Sequence, residues 1–185
     1  FHFGSYTMVV QPVGATQRAL VEREHQRSVI SYDPNIRANV EPDLDVWRAT
    51  LQWMLPRTHL LKVSDEDLAL LYPGQSTAQF AANALAAGTP WVVVTRGGEG
   101  AVGYTRRDTV AMPPQAVAVV DTVGAGDCFL AGLLAALLHA GPDPLGTIAG
   151  LDEGAAQALL KHALSSASIN VMRSGCVPPT WDEVS

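Results

Sequence analysis

Charge is scarce in this chain, and cysteine is scarcer. Only 16% of its 185 residues are Asp, Glu, Lys or Arg, and the net charge is −6. An acidic chain without a Lys/Arg run has no electrostatic footprint for DNA or RNA. There are two cysteines, Cys128 and Cys176. Their spacing matches neither a disulfide framework nor a zinc pattern, and so few thiols fit a reducing cytosol. No apolar run reaches the roughly 20 residues that span a bilayer. The longest, Phe129 to Ala140, stops after about three helical turns. The residues present carry no secretory signal pattern.

What the chain does have is apolar residues, 48% of the total, in short runs that alternate with helix-like segments. This is the composition of an ordered globular protein. Val29 to Tyr32, His59 to Val63 and Trp91 to Thr95 read as strands, the last apolar enough to be buried on both faces. Asp43 to Leu55 places Leu44, Trp47, Leu51 and Leu55 at helical spacing, with Pro56 closing the run. Ser64 caps an acidic first turn and a helix through Leu71, and Ser76 to Ala87 is a helix ended by Gly88. Gly100 to Thr105 and Thr109 to Met112 read as a hairpin, and Val117 to Val120 as a further strand. Helices are expected over Asp127 to His139 and from about Glu153 to Ser168. Strand–helix alternation with short Gly-containing links predicts an α/β fold, a Rossmann-like parallel sheet with helices on both faces. Neither a repeat nor a linker interrupts residues 1–185, which read as one domain portion.

The chemistry concentrates in Asp121-Thr122-Val123-Gly124-Ala125-Gly126-Asp127. A strand is expected to end there and a helix to begin, at the carboxyl edge where α/β sheets bind ligands. A helix N-terminus presents unpaired N–H groups and the positive end of its dipole. Gly124, Ala125 and Gly126 carry almost no side chain, so an anionic oxygen can approach those amides, which form a candidate anion hole. Asp127 is either a first-turn acid favoured by the helix dipole or, if a phosphoryl group rests on the loop, a base placed to take a proton from the attacking hydroxyl; Asp121 and the parallel-sheet context favour the second. Phosphoryl transfer needs mainly positioning and charge stabilisation, so one modest base suffices. Asp121 serves either as a strand-end turn former or as a cation ligand, and the residues leave both readings open.

Rival motifs fail. No Gly-x-x-x-x-Gly-Lys-Ser/Thr loop is present. Gly98 to Gly103 matches the dinucleotide fingerprint in letters, but a hairpin-like stretch follows where that fingerprint needs a helix. This discounts an NAD-dependent oxidoreductase. The five histidines form no metal pair, and His139 closes a helix C-terminus. Cys128 reads as a small packed residue rather than an activated thiol.

With these residues in view, the chain resembles the ribokinase-like carbohydrate kinases of the phosphofructokinase B superfamily, and among them the fructokinases. Asp121 to Asp127 is similar to that superfamily's C-terminal signature. Asp33-Pro34-Asn35-Ile36-Arg37 and Lys62-Val63-Ser64-Asp65-Glu66-Asp67 resemble fructokinase stretches. Thr95-Arg96-Gly97-Gly98-Glu99-Gly100 resembles the family's Thr-x-Gly-x-x-Gly element. The resemblance implies ATP-dependent phosphorylation of a sugar hydroxyl, with fructose as the expected substrate and Mg²⁺ and K⁺ as the expected ions. Asp127 would be the base and Gly124 to Gly126 the anion hole. Thr95, Gly97 and Gly100 would line the ATP site, with Ser64 and Asp67 toward magnesium. Arg37 would face the transferred phosphate or the substrate. Asp121, the backbone of Val123, and Gly175 would surround a monovalent cation. Ser64 and Asp67 stand where many relatives have Asn and Glu, and Cys176 replaces the more usual Ala.

The likeness corresponds to the later part of a family member, so the N-terminal part and lid are expected to be missing. The apolar start Phe1-His2-Phe3 reads as an interrupted strand. An uncovered sheet edge exposes unpaired backbone groups, which predicts a homo-oligomer. The expected setting is the cytoplasm, with no membrane or nucleic-acid partner. Two rival expectations are a kinase of the same fold for a nucleoside or sugar acid, and an inert nucleotide-binding fragment.

Overall fold

The computed structural model describes residues 1–184, which fall into two compact units. The first comprises Phe1–Arg96 with Tyr104–Arg106, and the second Gly97–Gly103 with residues 107 onward.

In the first unit, β1 (His2–Gly4), β2 (Ser31–Asp33), β3 (Leu60–Ser64) and β4 (Trp91–Thr95) lie side by side in that order, all parallel. The helices α1 (Val13–Glu24), α2 (Leu44–Met54), α3 (Asp65–Leu71) and α4 (Thr77–Ala87) connect them. Val92, Val93 and Val94 are each 0% exposed, as their unbroken apolar run demands of a strand buried on both faces. On α2, Trp47, Leu51 and Met54 are buried, and the Trp47 indole N–H donates to the Glu41 carbonyl at 2.9 Å. Burying each such side chain contributes about 1.5–3 kcal/mol. The helix starts follow from local chemistry. The Asp43, Ser64 and Ser76 side chains accept the first-turn N–H groups of α2, α3 and α4, and Ser76 with Gln79 completes a capping box.

Next along the chain, β5 (Ala101–Tyr104) and β6 (Thr109–Met112) are paired neighbours joined by a tight turn, the expected hairpin, with all but the end of β5 and part of the turn in the second unit. α5 (Ala125–His139), α6 (Pro144–Ala149), α7 (Glu153–Val171) and α8 (Trp181–Val184) follow. α5 buries Phe129, Leu130, Leu133 and Leu137, and α7 buries Leu159, Leu160 and Leu164.

One expectation is overturned. Val117 to Val120 forms no strand. Pro113 and Pro114 lack the N–H a ladder needs, while the Val120 and Asp121 N–H groups donate to the Val171 carbonyl at the end of α7, at 2.7 and 3.2 Å. Val119 and Val120 are 61% and 62% exposed, so their apolar character does not mark burial here. α5 also begins at Ala125, two residues earlier than its apolar pattern suggests, which still leaves Asp127 in the first turn.

Candidate functional site

Parallel strands place their carboxyl ends on one edge. In the first unit these ends carry Asp33, Ser64 and Thr95, with Ser64 opposite Thr95 in the register. Asp33 is 3% exposed, and its Oδ2 is 2.8 Å from Lys62 Nζ, itself buried. Burial raises the Asp33 pKa, and the Lys62 ammonium opposes that shift. Ser64 and Asp67 are reciprocal partners. The Asp67 N–H donates to Ser64 Oγ at 3.0 Å, and the Ser64 hydroxyl donates to Asp67 Oδ2 at 2.7 Å. Asp67 Oδ1 also accepts the Ile36 N–H at 3.1 Å, which holds the loop after β2 against the start of α3. Arg37 donates to the Ile36 carbonyl at 3.0 Å, so its guanidinium folds back on its own loop. Arg37, Ser64, Asp67 and Thr95 therefore belong to this strand-end region.

The second unit assembles the remaining candidates. Gly97–Glu99 forms a single tight turn, and the Gly100 N–H donates back to the Gly97 carbonyl. Gly100 has φ +88°, and a Cβ there would lie 2.1 Å from the Met112 carbonyl oxygen, so only glycine fits.

Ahead of α5, Asp121 acts as a clamp. Its Oδ1 accepts the Val123 N–H and its Oδ2 accepts the Gly175 N–H, each at 2.9 Å. These two donors favour the ionised form and hold the carboxyl below its usual range. The turn-former reading of Asp121 is thus realised, and the same bonds bring Val123 and Gly175 to it. Asn170, fully buried, locks the assembly. Its side-chain amide donates to the Val123 carbonyl at 2.9 Å, and its Oδ1 accepts the Val177 N–H at 3.0 Å. Sequence reading missed Asn170, whose only signal is a lone amide near the end of an Ala- and Ser-rich helix.

Gly124 is the N-cap of α5 at φ +75°, and its carbonyl accepts the Cys128 N–H at 2.8 Å. Gly126 and Asp127 are exposed at the start of the helix, where first-turn amides lack intrahelical partners. The Ala125 N–H donates to the Thr122 carbonyl at 3.2 Å, so the turn combines the other first-turn amides, the positive dipole end and a carboxylate. A Cβ on Gly124 would lie 2.2 Å from Cys176 Sγ. Gly124→Ala is expected to lose about 1–2 kcal/mol from left-handed backbone strain alone, with a further loss from crowding Cys176. Adding Cys176→Ala relieves the crowding but not the strain. Thermal melts of the single and double variants measure both parts, and a wild-type melt for Gly124→Ala would refute the assignment.

Cys128 is buried, and desolvation pushes its thiol pKa up to about 11, which agrees with a packed rather than an activated residue. His139 Nδ1 donates to the Ala135 carbonyl at 2.9 Å, and its ring stacks on Trp181 with centroids 3.8 Å apart. Among the described residues no group of three or more His, Cys, Asp and Glu side chains could hold a metal.

Similarity to known proteins follows the same lines. Residues 8–183 match the model of the pfkB family carbohydrate kinases. The chain is 42% identical over 154 residues to a fructokinase of Rhizobium leguminosarum bv. trifolii, covering 83% of this chain and 47% of that protein. It superposes with TM-score 0.81 at 26% identity on a Vibrio cholerae O395 fructokinase variant in its fructose, ADP and potassium ion bound form, covering 95% of this chain and 55% of the other. A Xylella fastidiosa fructokinase with bound ATP superposes with TM-score 0.88 at 23% identity, covering 100% of this chain and 59% of that one, a likeness of fold. The chain spans about half the length of the curated relatives it matches. With a family match across nearly its whole length and the Gly124–Asp127 turn at a helix start, the chain belongs to the pfkB family of carbohydrate kinases.

Proposed function

We propose that this chain carries the ATP-binding and catalytic portion of a kinase that phosphorylates a sugar hydroxyl, most readily that of fructose. The observation that carries the proposal is the turn from Gly124 to Asp127. Its left-handed glycine opens a helix N-terminus, and an exposed carboxylate stands in the first helical turn.

Asp127 accepts the proton of the sugar hydroxyl as its oxygen attacks the terminal phosphoryl group in line. The amides of Gly124 and Gly126, joined by that of Ala125 as it leaves the Thr122 carbonyl, stabilise the charge that develops on the phosphoryl oxygens. Thr95 and the Gly97–Gly100 turn bind the nucleotide, the turn through backbone N–H groups. Arg37 swings from its own loop carbonyls toward substrate or phosphate. Ser64 and Asp67 offer hard oxygen donors, already bonded to each other, which suits Mg²⁺ held through water. Mg²⁺ would neutralise phosphate charge. Asp121, held ionised by the Val123 and Gly175 N–H groups, supplies a fixed negative charge beside which a monovalent cation such as K⁺ would sit. The Vibrio cholerae fructokinase variant in its fructose, ADP and potassium ion bound form supports the sugar, nucleotide and K⁺ parts of this reading. The proposed setting is the cytoplasm, and the proposed assembly a homo-oligomer.

A kcat/KM panel on the full-length gene product with ATP tests the reading. Fructose should exceed ribose, adenosine and a sugar acid by about tenfold or more, the discrimination that a few pocket contacts supply. ATP, and not NAD, should bind in a titration. A panel headed by adenosine or a sugar acid overturns the preference, and NAD binding without ATP binding overturns the kinase.

A further inference from the structure

The two cysteines lie far apart in sequence, yet the fold lays Cys176 over Gly124 at the start of α5, with Cys128 one helical turn further along the same face. Cys176 lies directly over Gly124. A Cβ on that glycine would be 2.2 Å from Cys176 Sγ and 2.9 Å from Cys176 Cβ. Cys128 is tied to the same residue through its N–H bond to the Gly124 carbonyl, at 2.8 Å. The loop that carries Cys176 is pinned on both sides, by Gly175 N–H to Asp121 and by Val177 N–H to Asn170. Cys176 is exposed and Cys128 is buried. One thiol therefore faces solvent while the second waits behind it. Gly124 and Cys128 are four residues apart, so their Cβ positions lie about 5–6 Å apart on one helix face, and a sulfur resting over the first is within reach of a disulfide bond to the second after a modest shift of the loop.

We propose that Cys176 and Cys128 form a thiol–disulfide exchange site for small soluble disulfides of the glutathione class, which closes a reversible Cys128–Cys176 bond over the turn from Gly124 to Asp127. The Cys176 thiolate attacks one sulfur of the external disulfide. The external S–S bond breaks, one thiolate leaves, and a mixed disulfide remains on Cys176. Cys128 then loses its proton to water and attacks Cys176 Sγ, expelling the second external thiolate. Two protein thiols are oxidised and one external disulfide is reduced to two thiols. Transient disulfides of this kind are the sort that reducing compartments accommodate. The bond would tether the loop at 174–177 to α5 and draw it across Gly124, displacing the amides of the anion hole. That consequence rests on the kinase reading above, whereas the cross-link itself does not.

The test treats the full-length protein with oxidised glutathione, followed by peptide mapping and turnover assays. Wild type is expected to lose both thiols, to fall in mass by about 2 Da as two thiol hydrogens leave, and to yield a Cys128–Cys176 cross-linked peptide. Turnover should drop about tenfold to a hundredfold, the scale of a small misplacement at a reacting centre, and return with dithiothreitol. Cys128→Ala should stop at a glutathione adduct on Cys176, and Cys176→Ala should neither react nor lose turnover. Two thiols that survive in wild type, a lasting glutathione adduct there, a bond between two copies, or a cross-linked protein of full turnover would each overturn the proposal. Absence of kinase activity before oxidation would count against the kinase reading instead, and the mass measurement would still decide the cross-link.

Discussion

Asp127→Asn in the full-length protein is expected to lower kcat by about 10² to 10⁴, the range attributed to a lost general base. Asparagine has nearly the same shape but cannot take the hydroxyl proton at neutral pH. Asp127 is exposed in the first turn of α5, so the exchange removes little packing. Surface substitutions of this kind change stability by about 0.5 kcal/mol or less, and the melting temperature should therefore hold. ATP affinity should hold as well, because the backbone amides of Gly124 to Gly126 remain. Single-turnover and steady-state rates, read beside a thermal melt, separate a chemical defect from a folding one. A variant that melts like wild type and keeps nearly all of its kcat would rule out Asp127 as the base.

Lys62→Met should have the largest effect on stability. The Lys62–Asp33 pair is closed off from water, with side chains 6% and 4% exposed and 2.8 Å between Nζ and Oδ2. Met fills similar volume but leaves the Asp33 carboxylate buried without its counter-charge. Removing one partner of a buried pair costs about 3–5 kcal/mol. At about 2–4 °C per kcal/mol for a chain of this size, the melting temperature should fall by roughly 10 °C. The pH dependence gives a second reading. Without Lys62 the two largest influences that lower the Asp33 pKa are gone and burial dominates, so the folded state holds a proton that the unfolded state releases. Stability of the variant should then recover as pH falls toward the carboxylate range, because the folded state binds more protons. The Lys62→Met/Asp33→Asn double variant should regain much of the loss at neutral pH. Asn can still accept the Asn35 N–H that Asp33 Oδ1 now accepts at 3.1 Å, and no buried charge remains. Wild-type melting of the single variant would show that the pair contributes nothing.

Elements set by local rules were legible in the chain. β4 lies at its expected limits, Trp91–Thr95, because an unbroken β-branched run between Pro90 and the Gly97 turn has few alternatives. The starts of α2, α3 and α4 were marked by Asp43, Ser64 and Ser76, each of which accepts a backbone N–H of the helix it opens. α1 was not foreseen, because apart from Val21 it buries only Gly14 and Glu24 and shows no apolar stripe. α6 was missed for a similar reason, being six residues long with Ile148 alone buried.

By itself, the sequence determined the alternation of strands and helices, the small-residue turn ahead of α5, and the carboxylate at Asp127. These depend on neighbours within one or two helical turns, where propensity, capping and periodicity operate. Tertiary structure decided which distant groups share a charge, a hydrogen bond or a space. It buried Lys62 against Asp33, turned Val119 and Val120 outward, set Asn170 between Val123 and Val177, and laid Cys176 over Gly124. No local pattern carries that information. A polar or apolar side chain has the same propensity whether its partner lies three residues away or fifty, and only the closed chain selects the partner.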